Sequence, residues 1–89
     1  MANMTYSLWL QSRRPCAMPR MSVQSRVSKN IQRIRREKEL SQEDVAHRAN
    51  IHQTYLSGVE TGKRNPSILV VERIAKALGV DVSEIFKPN

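Results

Sequence analysis

The sequence has few of the residues on which small functional sites commonly depend. Only one of its 89 residues is a cysteine, Cys16, which excludes an internal disulfide and a cysteine-based zinc site. This fits a reducing compartment, so we expect a cytoplasmic protein. The longest apolar run, residues 68–71, is far shorter than the roughly 20 residues that cross a bilayer. We therefore expect a soluble protein with no membrane partner.

Motifs of catalysis and cofactor binding are scarce as well. The three glycines are scattered and form no phosphate-binding loop. His47 and His52 stand five positions apart without a third ligand, so we expect no metal site. No pairing of a nucleophile with a base can be recognised, and the chain is too short for a two-lobed enzyme. The sequence therefore predicts a protein that is not an enzyme and needs no cofactor.

Positive charge is in excess, with 15 Lys and Arg against 8 Asp and Glu and a net charge of +7. Such an excess favours a polyanionic partner, either nucleic acid or an anionic membrane surface. Residues 1–20 carry three of these positive charges and show neither helical nor strand periodicity. We predict a disordered or extended tail over residues 1–24, with Met21 as an alternative start of the native protein. The predicted domain, residues 25–89, then carries +7 minus +3, or +4.

The apolar spacing of the domain is helical from Val27 onward, and no segment alternates like a strand. We predict a first helix that is capped by Ser25 or Ser28 and ends near Glu39. Four more helices are expected at about 41–49, 52–61, 68–78 and 82–86. Ser41 and Asp44 should form a capping box, Ser67 should cap the fourth helix, and Gly62 and Gly79 should end the third and fourth. The inner stripe of the fourth helix is predicted to consist of Ile68, Val71, Ile74, Ala75 and Leu78. The predicted fold class is all-α, with five helices around one aliphatic core.

The second and third helices have the features of a helix-turn-helix over about residues 41–61. Ala46 and Ala49 are small enough for a close crossing, and Asn50-Ile51 makes a tight turn. Polar residues of the third helix project away from the core and can hydrogen-bond base edges, and donors suited to phosphate flank them. We predict base contacts from Gln53, Thr54, Tyr55 and Ser57, and phosphate contacts from Gln42, Lys63, Arg64 and Asn65. For Tyr55, partial burial beside the second helix is the alternative.

Several separated runs of residues match one known pattern. The runs are Ile34-Arg35, Leu40-Ser41-Gln42-Glu43-Asp44-Val45-Ala46, Thr54-Tyr55-Leu56-Ser57-Gly58-Val59-Glu60 and Arg64-Asn65-Pro66-Ser67. They resemble the phage-repressor or Cro-type (XRE-like) helix-turn-helix family over about residues 28–86. Within that family the sequence is most similar to the controller proteins of restriction-modification systems, which are dimeric autoregulators that time endonuclease expression.

The resemblance implies a lambda-repressor-like fold and specific roles. Glu60 would form a structural ion pair with Arg35 instead of acting as a catalytic carboxylate. Gln53 stands where many controllers carry arginine. Glutamine favours adenine and arginine favours guanine, so the operator sequence cannot be inferred from those of other controllers. Gly58 lacks the side chain that other repressors use for base contact. At this position the third helix would approach its partner closely without reading a base.

Two apolar residues, Leu69 and Val70, fall off the inner stripe of the fourth helix. A small DNA-binding domain that dimerises needs an apolar surface. We therefore predict a two-fold symmetric dimer interface made of Leu69, Val70, Val80, Ile85 and Phe86.

The sequence as a whole predicts a homodimeric, sequence-specific regulator of transcription. Each third helix would enter the major groove of double-stranded operator DNA, and the protein's own concentration would be the regulatory variable. RNA polymerase is a further partner if the protein activates transcription. The alternatives are a prophage-type repressor, the antitoxin of a toxin-antitoxin pair, and a protein-interaction module that keeps the helix-turn-helix as a scaffold.

Overall fold

The computed structural model describes residues 22–88, a part of the chain that contains five α-helices and no strand. The predicted tail falls largely on residues 1–21, which lie outside the described residues, as does Cys16. The helices are α1 (Val23–Glu37), α2 (Gln42–Ala49), α3 (Gln53–Glu60), α4 (Ile68–Leu78) and α5 (Val82–Phe86).

Most helix ends lie where capping residues predicted them. The Ser41 side chain accepts a hydrogen bond from the Asp44 N–H, and the Asp44 carboxylate accepts one from the Ser41 N–H, which confirms the capping box of α2. The Ser67 side chain caps α4. Gly79 ends α4 with a φ of 74°, in the left-handed region that glycine adopts without strain.

The prediction for the start of the first helix is wrong. The helix begins at Val23 with Ser22 as its N-cap, ahead of the predicted caps. Ser28 lies inside the helix and is buried, and its hydroxyl donates a 2.6 Å hydrogen bond to the carbonyl oxygen of Val59. The helix also ends at Glu37, before Glu39, whose φ is 57°. The hydroxyl of Ser28 thus joins α1 to α3 instead of capping a helix.

One aliphatic core lies between the helices. Among its completely buried side chains are Ile31 of α1, Val45 of α2, Leu56 of α3, Ile74 of α4 and Ile85 of α5, so every helix contributes to the core. The predicted inner stripe of α4 is confirmed except at its first residue. Ile68, on the first turn of α4, is 70% exposed.

A buried polar residue connects the two ends of the domain. The side-chain amide of Asn30 donates hydrogen bonds of 2.7 and 2.8 Å to the carbonyl oxygens of Ile85 and Lys87. These bonds hold α5 against α1 and satisfy carbonyl groups at the end of α5 that have no partner within the helix.

Candidate nucleic-acid interface

α2 and α3 cross closely and form the helix-turn-helix. Ala46 and Ala49 of α2 are buried, as are Leu56 and Val59 of α3, so small side chains on one helix face aliphatic ones on the other. The turn between them contains Asn50 with a φ of 58°, a left-handed conformation that asparagine tolerates better than most residues. The core therefore fixes which face of α3 is directed outward.

The outward face of α3 carries the polar side chains predicted to contact bases. Gln53 and Thr54, on the first turn, are exposed, and Ser57 is half-buried one turn later. Tyr55 is also half-buried and packs against the core, which agrees with the partial burial given as its alternative, and its contact with DNA stays a prediction. The structure therefore brings Gln53, Thr54 and Ser57 together on one helix, while part of Tyr55 serves packing.

An ion pair fixes α3 relative to α1. The Arg35 Nε lies 2.7 Å from Glu60 Oε2, and its Nη2 lies 2.9 Å from Oε1. The Glu60 side chain is fully buried and the Arg35 side chain is 12% exposed, which confirms the predicted structural pair. The hydrogen bond to Glu60 raises the pKa of Arg35. Arg35 Nη1 also donates to the Leu40 carbonyl oxygen, so the pair reaches the turn before α2.

Gln42, predicted to contact phosphate, belongs to the same network. Its Nε2 donates a 3.0 Å hydrogen bond to Glu60 Oε1, and the residue is half-buried at the start of α2. To contact a phosphate, the Gln42 side-chain amide would have to break its hydrogen bond to Glu60 or donate its second hydrogen. The contact therefore stays a prediction, and the observed role of Gln42 is to help satisfy a buried carboxylate.

The segment after α3 holds the other predicted phosphate contacts. Lys63, Arg64 and Asn65 are all exposed. The backbone N–H groups of Lys63 and Arg64 donate hydrogen bonds of 2.8 and 3.0 Å to the carbonyl oxygen of Gly58. The segment thus folds back over the end of α3 and carries two exposed cations there. Within residues 22–88, neither cation takes part in an ion pair.

Sequence reasoning missed one residue that holds this segment. The side-chain amide of Gln24, in the first turn of α1, donates hydrogen bonds of 3.0 and 3.5 Å to the carbonyl oxygens of Gly62 and Arg64. Nothing in the sequence pointed to Gln24, because its partners are separated from it by 38 and 40 positions.

The predicted dimer surface is only partly available. Ile85 is completely buried in the core, so the prediction that it lies in an interface is wrong. Leu69 is 68% exposed, whereas Val70, Val80 and Phe86 are half-buried against the core. Ile68, which was assigned to the core, is the exposed neighbour of Leu69 and was missed as a surface residue.

Residues 22–88 contain neither a cluster of metal ligands nor a membrane-spanning helix. Within residues 22–88, no group of three or more His, Cys, Asp or Glu side chains is placed to hold a metal ion. In the same part of the chain, every helix is too short or too polar to cross a membrane.

The domain has two crossed helices that are fixed by an aliphatic core, and the second helix has a polar outward face. These are the features of the helix-turn-helix class of DNA-binding domain. The family model described as Helix-turn-helix matches residues 31–85. The chain belongs to this XRE-type helix-turn-helix family, a family of DNA-binding transcription regulators.

Relatives in sequence include regulators and controller proteins. An uncharacterised HTH-type transcriptional regulator of Sinorhizobium fredii is 43% identical over 69 residues, which cover 78% of this chain and 90% of that protein. The control protein C.MunI of Mycoplasma sp. is 38% identical over 65 residues, 72% of this chain and 88% of the relative.

Solved structures of controller proteins have the same fold. The restriction-modification controller C.AhdI of Aeromonas hydrophila matches with a TM-score of 0.69 and 32% identity, over 71% of this chain and 96% of that one. The controller C.Esp1396I, solved with a 19 base pair DNA duplex, matches with a TM-score of 0.69 and 41% identity, over 74% of this chain and 88% of the relative.

Proposed function

We propose that this protein is a homodimeric, sequence-specific regulator of transcription of the controller type, which binds operator DNA through α3. The observation that carries the proposal is the outward face of α3, where Gln53 and Thr54 are exposed, together with the exposed cations Lys63 and Arg64 in the segment that is hydrogen-bonded to the end of this helix. Amide and hydroxyl groups hydrogen-bond base edges in the major groove, and cations neutralise phosphates. The relative solved on duplex DNA supports this use of the fold.

Two-fold symmetry would let each protomer read one half-site. In helix-turn-helix dimers the recognition helices enter successive major grooves about 34 Å apart. Ile68 and Leu69, which are 70% and 68% exposed on the first turn of α4, supply apolar surface that a second copy would cover. We place the dimer interface around these two residues, with Val70, Val80 and Phe86 at its edge.

The regulator would act in the cytoplasm, without enzymatic activity and without a cofactor, and its own concentration would set operator occupancy. RNA polymerase is a further partner if the protein activates transcription.

A second candidate is a prophage-type repressor, because the immunity repressor of Bacillus phage phi105 is 41% identical over 59 residues, 66% of this chain and 41% of that protein. A methyltransferase and endonuclease encoded beside the gene would favour the controller.

Selection of bound sequences from a random pool of DNA duplexes tests the proposal. The expected result is one recovered site with two inverted half-sites, spaced by about one helical turn of DNA. Recovery of random sequence, with binding that is insensitive to salt, would favour a protein-interaction module on a helix-turn-helix scaffold.

A further inference from the structure

Gly58 occupies a position where a larger residue would displace Arg64. A methyl group on the Gly58 Cα would lie 2.5 Å from Arg64 Cγ, well inside the roughly 3.5 to 4.0 Å of ordinary carbon contacts. Glycine is disfavoured inside a helix relative to alanine, so its place in α3 has a local conformational cost. The room that Gly58 leaves is filled by the aliphatic part of Arg64, which lies across the helix.

The backbone of the same segment is held by two different helices. The Gly58 carbonyl oxygen of α3 accepts hydrogen bonds from the N–H groups of Lys63 and Arg64. Gln24 of α1 donates to the carbonyl oxygens of Gly62 and Arg64. Arg64 therefore has its backbone fixed by hydrogen bonds and its side-chain stem fixed by packing, while the residue remains exposed.

We infer that Gly58 and Gln24 are positioning residues for Arg64, which they hold ready for a phosphate contact before DNA arrives. The inference rests on the proposed function, because it needs Arg64 to contact DNA. Fixing a long side chain in advance removes the entropy cost of ordering it on binding, which corresponds to about a 2- to 10-fold gain in affinity.

A double-variant cycle tests the role of Gly58. The probe is a labelled duplex carrying the site recovered by selection, titrated with the full chain. Gly58→Ala is expected to weaken binding by about 2- to 10-fold. In an Arg64→Ala background the same change should have no effect, since the nearest atom to the added methyl group would then be the Cβ at position 64, at an ordinary 3.5 Å. Equal losses in both backgrounds, or no loss in either, would overturn the inference.

Gln24 is tested by a variant that keeps the shape of the side chain and removes its donor. Gln24→Met is expected to weaken binding to a similar degree, whereas Gln32→Met, at the other glutamine of α1, should leave affinity unchanged. An unchanged affinity for Gln24→Met would show that Gln24 does not position Arg64.

A measurement on the free protein separates this inference from the proposed function. Nitrogen-15 relaxation of the Arg64 side-chain Nε–H should show a rigid group in the wild type and a mobile one in Gly58→Ala. The melting temperature of Gly58→Ala should not fall, because alanine favours helix. Unchanged mobility would overturn the inference. If mobility changes but Arg64→Ala does not weaken DNA binding, positioning stands and the proposed phosphate contact fails.

Discussion

The guanidinium of Arg35 and the carboxylate of Glu60 form a two-point contact of 2.7 and 2.9 Å in the interior of the domain. Arg35 also donates to the Leu40 carbonyl oxygen, and Gln42 donates to the Glu60 carboxylate. This network joins α1, the start of α2 and the end of α3. The orientation of α3 therefore depends on a buried charge pair as well as on aliphatic packing.

Removing one partner of this pair should be costly. In Arg35→Met the buried Glu60 carboxylate loses its counterion, and we expect the free energy of unfolding to fall by about 3 to 5 kcal/mol. The matched control is Lys87→Met, which breaks the exposed Lys87–Glu84 pair and should cost less than about 1 kcal/mol. Urea unfolding of both variants measures the difference. Equal losses would show that burial does not govern the strength of the Arg35–Glu60 pair.

The capping box of α2 should make stability depend on acidic pH. Hydrogen bonds from the side chain and backbone of Ser41 lower the pKa of Asp44 in the folded protein. The resulting stabilisation is complete above the unfolded pKa of about 3.9 and is lost as the pH falls through the folded value. We expect Asp44→Asn to melt at a lower temperature than the wild type near neutral pH.

The same variant should approach the wild type in strong acid, where Asp44 is protonated in both states. Thermal unfolding across the acidic range makes the comparison. A difference in melting temperature that grows as the pH falls would contradict the assignment.

Exposed apolar residues at the start of α4 should control association. Replacing both Ile68 and Leu69 by serine is expected to weaken the dimer by about 1.5 to 3 kcal/mol for each side chain that is buried on association. Lys29→Ser, an exposed change on α1, is the control and should leave the dimer intact. Sedimentation equilibrium at micromolar concentration measures both. A wild-type protein that is monomeric under these conditions would contradict the proposed interface.

The parts of the fold that could be predicted from sequence are those with local causes. Ser41 and Asp44 lie three positions apart, and their capping box depends only on that spacing. Gly79 ends α4 because its backbone is left-handed, which is a property of the residue itself. The outward-facing residues of α3 could be predicted because Leu56 and Val59 fix the opposite face of the helix.

The errors arose where a distant partner decides the role of a residue. Ser28 has the chemistry of an N-cap, but its hydroxyl bonds Val59 oxygen, 31 positions away. Ile85 was predicted at the surface and is buried, whereas Ile68 was predicted in the core and is exposed. Helical spacing shows which face of a helix a residue lies on, but not whether another helix covers that face. Gln42 has the donors to reach a phosphate, yet its amide bonds the buried Glu60.

The proposed function divides the work between base reading by α3 and charge neutralisation by the segment that follows it. Gln53→Ala should therefore relax the preference at one position of each half-site by about 1 to 3 kcal/mol and leave binding to other sequences nearly unchanged. Arg64→Ala should weaken binding to all sequences alike and reduce the slope of log affinity against log salt by about 1.

The most direct test of this division is the affinity of wild type, Gln53→Ala and Arg64→Ala for the selected site and for each of its single-base variants. We expect loss of discrimination at one base pair for Gln53→Ala and a uniform loss of affinity for Arg64→Ala. A uniform loss of affinity in both variants, with base discrimination preserved, would contradict this division.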